Sequence, residues 1–550
     1  MSEPWAPTGT SAHIDTFAAE HLPPKNEWAP MSYKTLPELA AYPAQMNCAT
    51  ELLDKQAAQH GDRPVFYYGD DVWTYRDLLE KANRIANVLV EDLGVKPGNR
   101  VLLRAPNNPM YVACWFAVMK VGAVAVATMP LLRWRELKFM SEKAEIDVAL
   151  CDKRLAEEME TAIERSACLK RAIYFNGDDE TDSLEARMAG KGAAFDNVDT
   201  AADDVCLIAF TSGTTGDPKG CMHFHRDILA IGDTFSRYVL EPGQDDIFTG
   251  SPPLAFTFGL GALVTFPMQA GASTVLVEQF TPQTTLETVT KYNVSILFTA
   301  PVAYRAMTPM VGEHDLSSLK KCVSAGENLP LPTFKGWADA TGIQIIDGLG
   351  STEMLHIFVA TAGDDIRPGA TGKAIPGYEA RIADDTGADV PPGTVGRLAV
   401  RGPTGCRYLD NAERQATYVK DGWNYTGDAY LMDEDGYFWY QSRTDDLIVS
   451  AGYNISGPEV EAILMDHPKV MECAVIGAPN SERGQIVKAF VVLNDKSDAG
   501  EAAVKELQDF VKAEIAPYKY PREVEFIDAL PRTQTGKVQR FVLRDREVAG

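Results

Sequence analysis

The nine cysteines of this 550-residue chain form no CxxC pair, and no His/Cys cluster has the sequence spacing of a zinc site. Reduced, mostly buried thiols in a cytoplasmic protein are therefore expected. Positive charge is scarce: 52 Lys and Arg stand against 77 Asp and Glu, a formal net charge of −25. That balance excludes nucleic acid or an anionic membrane as the main partner. An anionic substrate would have to be met by a few locally placed cations. The opening "MSEPWAPTGTSAHIDTF" lacks a basic segment followed by an apolar run, so no secretory signal is expected. The most membrane-like stretch, "MYVACWFAVMKVGAVAVATMPLL" from Met110, is broken by Lys120 and Gly122. It reads as a buried helix turning into a buried strand. Internal repeats and low-complexity segments are also missing, which excludes a solenoid.

What is present is an alternation of short β-rich runs and helical segments from about residue 50 to 440. "RVLLRAP", "AVAVATMP", "DVALCD", "AIYFNG", "VCLIAFT", "STVLVE", "VSILFTA", "KCVSAGE" and "IQIIDGL" read as strands buried on both faces. "YRDLLEKANRIANVLVEDL" has helical periodicity. The pattern is that of parallel sheets covered by helices, an α/β class. The Pro-containing first forty residues read as an extended surface arm. Near 440 the texture changes, and three strands with two helices over about a hundred residues predict a small α+β domain.

One loop demands a chemical reason. "TSGTTGDPKG", Thr211 to Gly220, follows a buried apolar run and groups hydroxyls, glycines and one Lys. Glycine is costly to order, but it leaves backbone N–H groups open to a polyphosphate. The loop is neither a Walker motif nor a dinucleotide fingerprint, because Lys219 lies between Pro218 and Gly220. Further along come "SAGEN", "GLGSTEM", "YTGD", "RTDDLIVSAGYNISGPEVE" and "PRTQTGK". Taken singly, "STE" is a helix N-cap with a nearby carboxylate, an Asp after Gly is a turn residue, and a Lys near the end is a solvated side chain.

Together and in this order, the motifs resemble those of the adenylate-forming superfamily of acyl-CoA synthetases, luciferases and adenylation domains. The resemblance implies a large N-terminal domain (1–442) of mainly parallel sheets with a β-barrel-like subdomain. A hinge at 443–446 and a small mobile C-terminal domain (447–550) would follow. It implies ATP, Mg²⁺ and coenzyme A. Lys219 and the loop residues Thr211, Ser212, Gly213, Thr214, Thr215 and Gly216 would hold the β- and γ-phosphates. Thr352 would bond the α-phosphate, and Glu353 would help hold Mg²⁺. Ala325, Gly326 and Glu327, with Asp347, Gly348, Leu349, Gly350 and Ser351, would line the nucleotide; many relatives have Tyr where this chain has Leu349. Asp428 would take the ribose hydroxyls and Arg443 the ribose or phosphate. Lys537 would neutralise carboxylate and α-phosphate during adenylation. Rotation about Asp445 would then carry Lys537 away and bring Ser450, Gly452 and Tyr453 to the thiol arm.

The acyl group would meet Phe256, Thr257, Phe258 and Gly259 on one segment, and Gly350, His356 and Ile357 on another. No Asp stands there to pair an α-ammonium, which disfavours an amino acid, because a buried unpaired ammonium is expensive. Two Phe and an Ile favour a compact, flat, mainly apolar group. "DGLGSTEMLHIF" and "TGKAIPGYEARI" resemble the benzoate-CoA ligase branch; "HIDTFAAEHLPP" and "NCATELLDK" are closer to aminobenzoate-CoA ligases. An aniline-type amine, neutral at pH 7, needs only an acceptor such as Thr257 or His356. His356 reads equally as a core histidine satisfied by backbone. The rival expectations are a ligase for medium-chain or short sulfur-containing acids, a carrier-protein-loading enzyme, and a non-catalytic nucleotide-binding protein of the same fold. The chain would act on small molecules as a monomer or homodimer.

Overall fold

The computed structural model describes residues 9–177, 181–211, 218–450, 453–480, 483–533 and 536–549. Two large sheets dominate it. A six-stranded sheet runs Arg171–Phe175, Val148–Asp152, Arg100–Arg104, Val124–Thr128, Val205–Thr211, Lys219–Phe224 in spatial order. Its pairings are parallel except the last. A nine-stranded sheet includes Lys321–Ala325 parallel to both Ile296–Thr299 and Ile345–Gly350, with antiparallel strands at both ends.

Alternation along the strands decides which core each side chain enters. Val101, Leu103, Ala125 and Ala127 join residues of the nine-stranded sheet, such as Phe298 and Val323, in one continuous core. Leu102, Val124 and Val126 face a second core on the opposite side. Val275, Leu297, Cys322 and Ile345 form a third beyond the nine-stranded sheet. The strands thus read as near-continuous apolar runs because both faces are covered. "AIYFNG" is the exception: as the edge strand Arg171–Phe175 it buries only part of its length.

The apolar stretch from Met110 resolves as expected. Asn108 accepts a bond from the Tyr111 N–H at 2.9 Å and Pro109 begins the helix Pro109–Lys120, every residue of which is buried. Gly122, at φ 67°, turns the chain into the strand Val124–Thr128. Lys120 keeps its charge inside by donating to Asp54 at 2.7 Å and Asn197 at 2.9 Å. Among the described residues, no helix is long and apolar enough to cross a membrane. All nine cysteines are free thiols, eight of them buried.

Two expectations need correction. The N-terminal arm is not simply a surface strap: Phe17, Ala29, Tyr33 and Leu39 are buried, because aromatic and aliphatic anchors punctuate its prolines. Residues 379–443 contribute the five-stranded antiparallel sheet of the large domain. Among the described residues the C-terminal region has five strands and three α-helices, not three and two. The extra strands Ile448–Ser450 and Tyr453–Ile455 are too short to carry a periodic signal, and the helix Arg540–Ala549 is mostly polar. This region has its own cores around Val475, Val487 and Val491 and around Ile476 and Phe490.

Candidate active site

The strand Val205–Thr211 leaves the six-stranded sheet and the chain returns as Lys219–Phe224, with Thr211 opposite Lys219. The two residues flank the mouth of the hairpin. Ser212, Gly213, Thr214, Thr215 and Gly216 lie outside the described residues. Burial lowers the pKa of Lys219; the positive charges of Arg414 and Arg443 act in the same direction, and Glu353 opposes them. Lys219 therefore belongs to a cationic cluster, the local field that the acidic composition required.

Opposite it lies the segment after the strand Ile345–Gly350. The Ser351 hydroxyl accepts from the Met354 N–H at 3.2 Å, closing the turn that displays Thr352 and Glu353. His223, from the second leg of the hairpin, donates through Nε2 to the Thr352 carbonyl at 2.8 Å. Glu353 Oε1 accepts the Tyr408 hydroxyl at 2.6 Å. This bond orients the carboxylate and leaves its other oxygen for a hard cation, so the residues fit Mg²⁺. The chain pays for the turn with Leu355, a fully buried non-glycine residue at φ 69°.

The nucleotide-lining segments lie side by side, with Ala325 paired to Gly348, and Gly326, at φ 88°, turning the chain toward Glu327. Burial pushes the Asp347 carboxyl up to about 7, against the pull of the Thr371 hydroxyl. A cavity of about 10 Å³ beside Asp347 and Thr371 has room for one water. Leu349 packs partly buried against the main core. On the antiparallel sheet Asp428 stands directly across from Arg443, Oδ1 to Nη1 2.8 Å. Glycine suits position 427 because φ is 78°, and a Cβ there would also push the Arg443 guanidinium, 2.8 Å away, off Asp428. The Asp428 charge raises the Arg443 pKa further.

Lys537 comes from the small domain into the same field. Desolvation lowers its pKa, and the charges acting on it are those of Glu327, Arg443, Asp428 and Glu353. Glu353 and Arg443 thus act on both Lys219 and Lys537, and Glu327 and Asp428 act on Lys537 as well. The small domain is held in this position partly by Arg305, which donates to the Met471 carbonyl at 2.5 Å. Ser450 is buried and faces Arg483, Nε to Oγ 3.4 Å, outside that charge cluster. Gly452 and the side chains of Asp445 and Tyr453 lie outside the described residues.

The acyl segments also meet. His356 is almost wholly buried in a cage of Phe235, Phe258 and Phe266, ring centroids 5.6, 5.6 and 4.6 Å away. Burial depresses its pKa to about 3, so the ring is neutral. Neither ring nitrogen completes a well-aligned hydrogen bond, although the Phe258 backbone lies near. The burial and the nearby Phe258 backbone agree with a core histidine; a substrate contact from this ring is a proposal. Phe258 also packs edge-on to Phe298 at 5.8 Å. Thr257 is buried at the start of the short helix Thr257–Leu260, and Phe256 precedes it. A Cβ on Gly259 would lie 2.0 Å from the Pro253 carbonyl, and one on Gly350 2.6 Å from that of His356. Ile357 is buried against Gly348.

Sequence reading missed Tyr408, Arg414, Phe235, Phe266 and Gly261. Gly261 lets the His356 ring approach: a Cβ there would stand 2.3 Å from its Cδ2. None of these residues lies in a motif with chemical spacing, so only the fold reveals them.

With this geometry in view, known proteins supply the comparison. Residues 53–407 match the model of the AMP-binding enzyme family, and 459–537 match the AMP-binding enzyme C-terminal domain. The benzoate–CoA ligase of Thauera aromatica is 34% identical over 518 residues, 93% of this chain and 98% of that protein. A crystal structure of an anthranilate–CoA ligase in complex with anthranoyl-AMP superimposes with a TM-score of 0.87 at 33% identity, covering 93% of this chain and 99% of that one. A benzoate–CoA ligase structure from Burkholderia xenovorans LB400 gives 0.82 at 29% identity, covering 91% and 100%.

Proposed function

The chain belongs to the AMP-binding enzyme family and is an AMP-forming acid–CoA ligase; from that premise we propose that its acid is an aromatic carboxylate of the benzoate or 2-aminobenzoate type. The observation that carries the reading is the neutral His356 ring packed among three phenylalanines, with half-buried Phe258 at the edge of the cluster. The cage is filled by His356 itself, but Phe256 and Phe258 are only half-buried and offer aromatic faces that suit a flat ring. A neutral imidazole offers one donor and one acceptor, which answers a ring substituent such as an aniline amine without any counter-charge. The two relatives that act on benzoate and anthranilate support the same choice. The non-catalytic alternative is set aside by the family.

In the first half-reaction the acid's carboxylate oxygen attacks the α-phosphorus of ATP, and the bond to pyrophosphate breaks. Lys219 and the adjoining loop bind the departing phosphates, and Asp428 and Arg443 fix the ribose. Thr352 and Lys537 meet the α-phosphate where charge develops. Glu353 would hold Mg²⁺, which would neutralise charge on the phosphates. In the second half-reaction the thiol sulfur of coenzyme A attacks the acyl carbon and AMP leaves. Lys537 is not needed there, so the small domain rotates about 443–446, with Asp445 as pivot, and presents Ser450, Gly452 and Tyr453 to the thiol arm. Residues 1–442 and 447–550 act as the two bodies.

The test is CoA-dependent pyrophosphate release with benzoate, 2-aminobenzoate, hydroxybenzoates, hexanoate and 3-methylthiopropionate. Preference for a benzoate supports the reading; preference for an aliphatic acid overturns the substrate while keeping the reaction.

A further inference from the structure

We propose that Cys48, Cys206 and His225 form a buried binding site for a soft divalent cation of the zinc type, at the root of the hairpin that carries the phosphate loop. The three residues come from separate elements and are fully buried, and their donor atoms all lie within 4.8 Å of one another. Sequence spacing conceals the cluster, because the fold alone brings these positions together.

The local geometry holds the donors in place. Asn47 accepts from the Ala49 N–H at 3.0 Å and donates to the Met119 and Val198 carbonyls, fixing the turn that presents Cys48. His225 Nδ1 lies 3.2 Å from Cys48 Sγ and accepts the Cys48 backbone N–H at 3.2 Å. Nδ1 therefore carries a lone pair beside Cys48 Sγ, and ligation would exchange its bond from the Cys48 N–H for the cation.

Zinc takes sulfur at about 2.3 Å and imidazole nitrogen at about 2.0–2.1 Å, which donors this close reach with movements of about 1 Å or less. Binding would release the two thiol protons. The product is electrically neutral: two thiolates, one neutral imidazole and one divalent cation, the balance a fully buried site requires. The neighbouring arm is pinned by Ser11 and Ala12, which donate to Asp204 at 2.5 and 2.9 Å.

The position gives the site a consequence. Cys206 is the second residue of Val205–Thr211, and His225 follows Lys219–Phe224. Val205 pairs with Phe224 at one end of the hairpin and Thr211 with Lys219 at the other. A cation at the first end ties both legs to the N-terminal segment and steadies the end that holds the triphosphate.

The experiment is elemental analysis of the full-length enzyme purified without chelator, together with Co²⁺ loading of the wild type. The controls are Cys48→Ser, Cys206→Ser and, outside the cluster, Cys168→Ser. The expected result is one zinc per chain, thiolate-to-cobalt charge-transfer absorption after exchange, and an unchanged Cys168→Ser. Either cluster variant should lose metal affinity by more than the roughly 10–100-fold typical of losing an outer-shell partner. Because the wild-type metal content and cobalt spectrum decide the matter, a variant that fails to fold does not rescue the proposal. Metal-free wild type that takes up no cobalt with thiolate absorption overturns it. So does a Cys48–Cys206 disulfide found in place of bound metal.

Discussion

Replacing His356 by Leu removes a buried imidazole whose nitrogens have no well-aligned partners, and the structure sets both the sign and the size of the effect. In the folded protein the ring's pKa is about 3, whereas the unfolded chain returns it to the ordinary value near 6.5. Between those values the unfolded state binds the extra proton, so stability falls as pH falls through that window. Each unit is worth about 1.36 kcal/mol, so going from neutral pH to pH 5 costs the wild type roughly 2 kcal/mol through this one group. Leu cannot titrate, and it also removes unsatisfied polar atoms worth about 1–3 kcal/mol of desolvation. Urea denaturation of both proteins at pH 7.5 and pH 5 should show His356→Leu no less stable at neutral pH. Its acid destabilisation should be smaller by about 2 kcal/mol. The same variant should lose preference for 2-aminobenzoate over benzoate by roughly 5-fold or more, the lower end of a lost hydrogen bond to a buried partner. An unchanged pH dependence of stability would refute the assignment of a neutral, buried ring.

Other positions give sharper functional outcomes. Lys537→Ala should slow acyl-AMP formation by roughly 10²–10³-fold, the usual cost of removing one preorganised charge-stabilising group; thioester formation from preformed acyl-AMP should stay near wild type, as single-turnover assays of each half-reaction will show. Gly427→Ala forces a Cβ to 2.8 Å from the Arg443 guanidinium at φ 78°, so the KM for ATP should rise while the KM for the acid holds. Tyr408→Phe frees Glu353 Oε1 from its 2.6 Å bond and should raise the Mg²⁺ concentration needed for half-maximal pyrophosphate release, with little change in folding stability.

The strands were legible because burial on both faces leaves continuous apolar runs, as in Val124–Thr128 and Val205–Thr211. Where that condition fails, the signal fails with it: the edge strand Arg171–Phe175 and the three-residue strands Ile448–Ser450 and Tyr453–Ile455 have no such run. Lys219, Glu353, Asp428 and Lys537 were legible as motifs, and the fold brings their charges into one field. Their supports were not. Tyr408 reaches Glu353 from a distant loop, and Phe235 and Phe266 reach His356 from helical turns whose residues read as ordinary core. Such contacts are fixed by tertiary packing, and no local spacing encodes them. The Cys48–Cys206–His225 cluster was hidden for the same reason.

The central claim, an aromatic acid received by the His356 cage, is tested most directly by kcat/KM for pyrophosphate release across matched benzoates and aliphatic acids, with coenzyme A present. The account predicts that benzoate or 2-aminobenzoate exceeds hexanoate and 3-methylthiopropionate, and that His356→Leu alters the ranking among benzoates without abolishing turnover. An aliphatic acid at the top of the ranking, unaffected by His356→Leu, would contradict it.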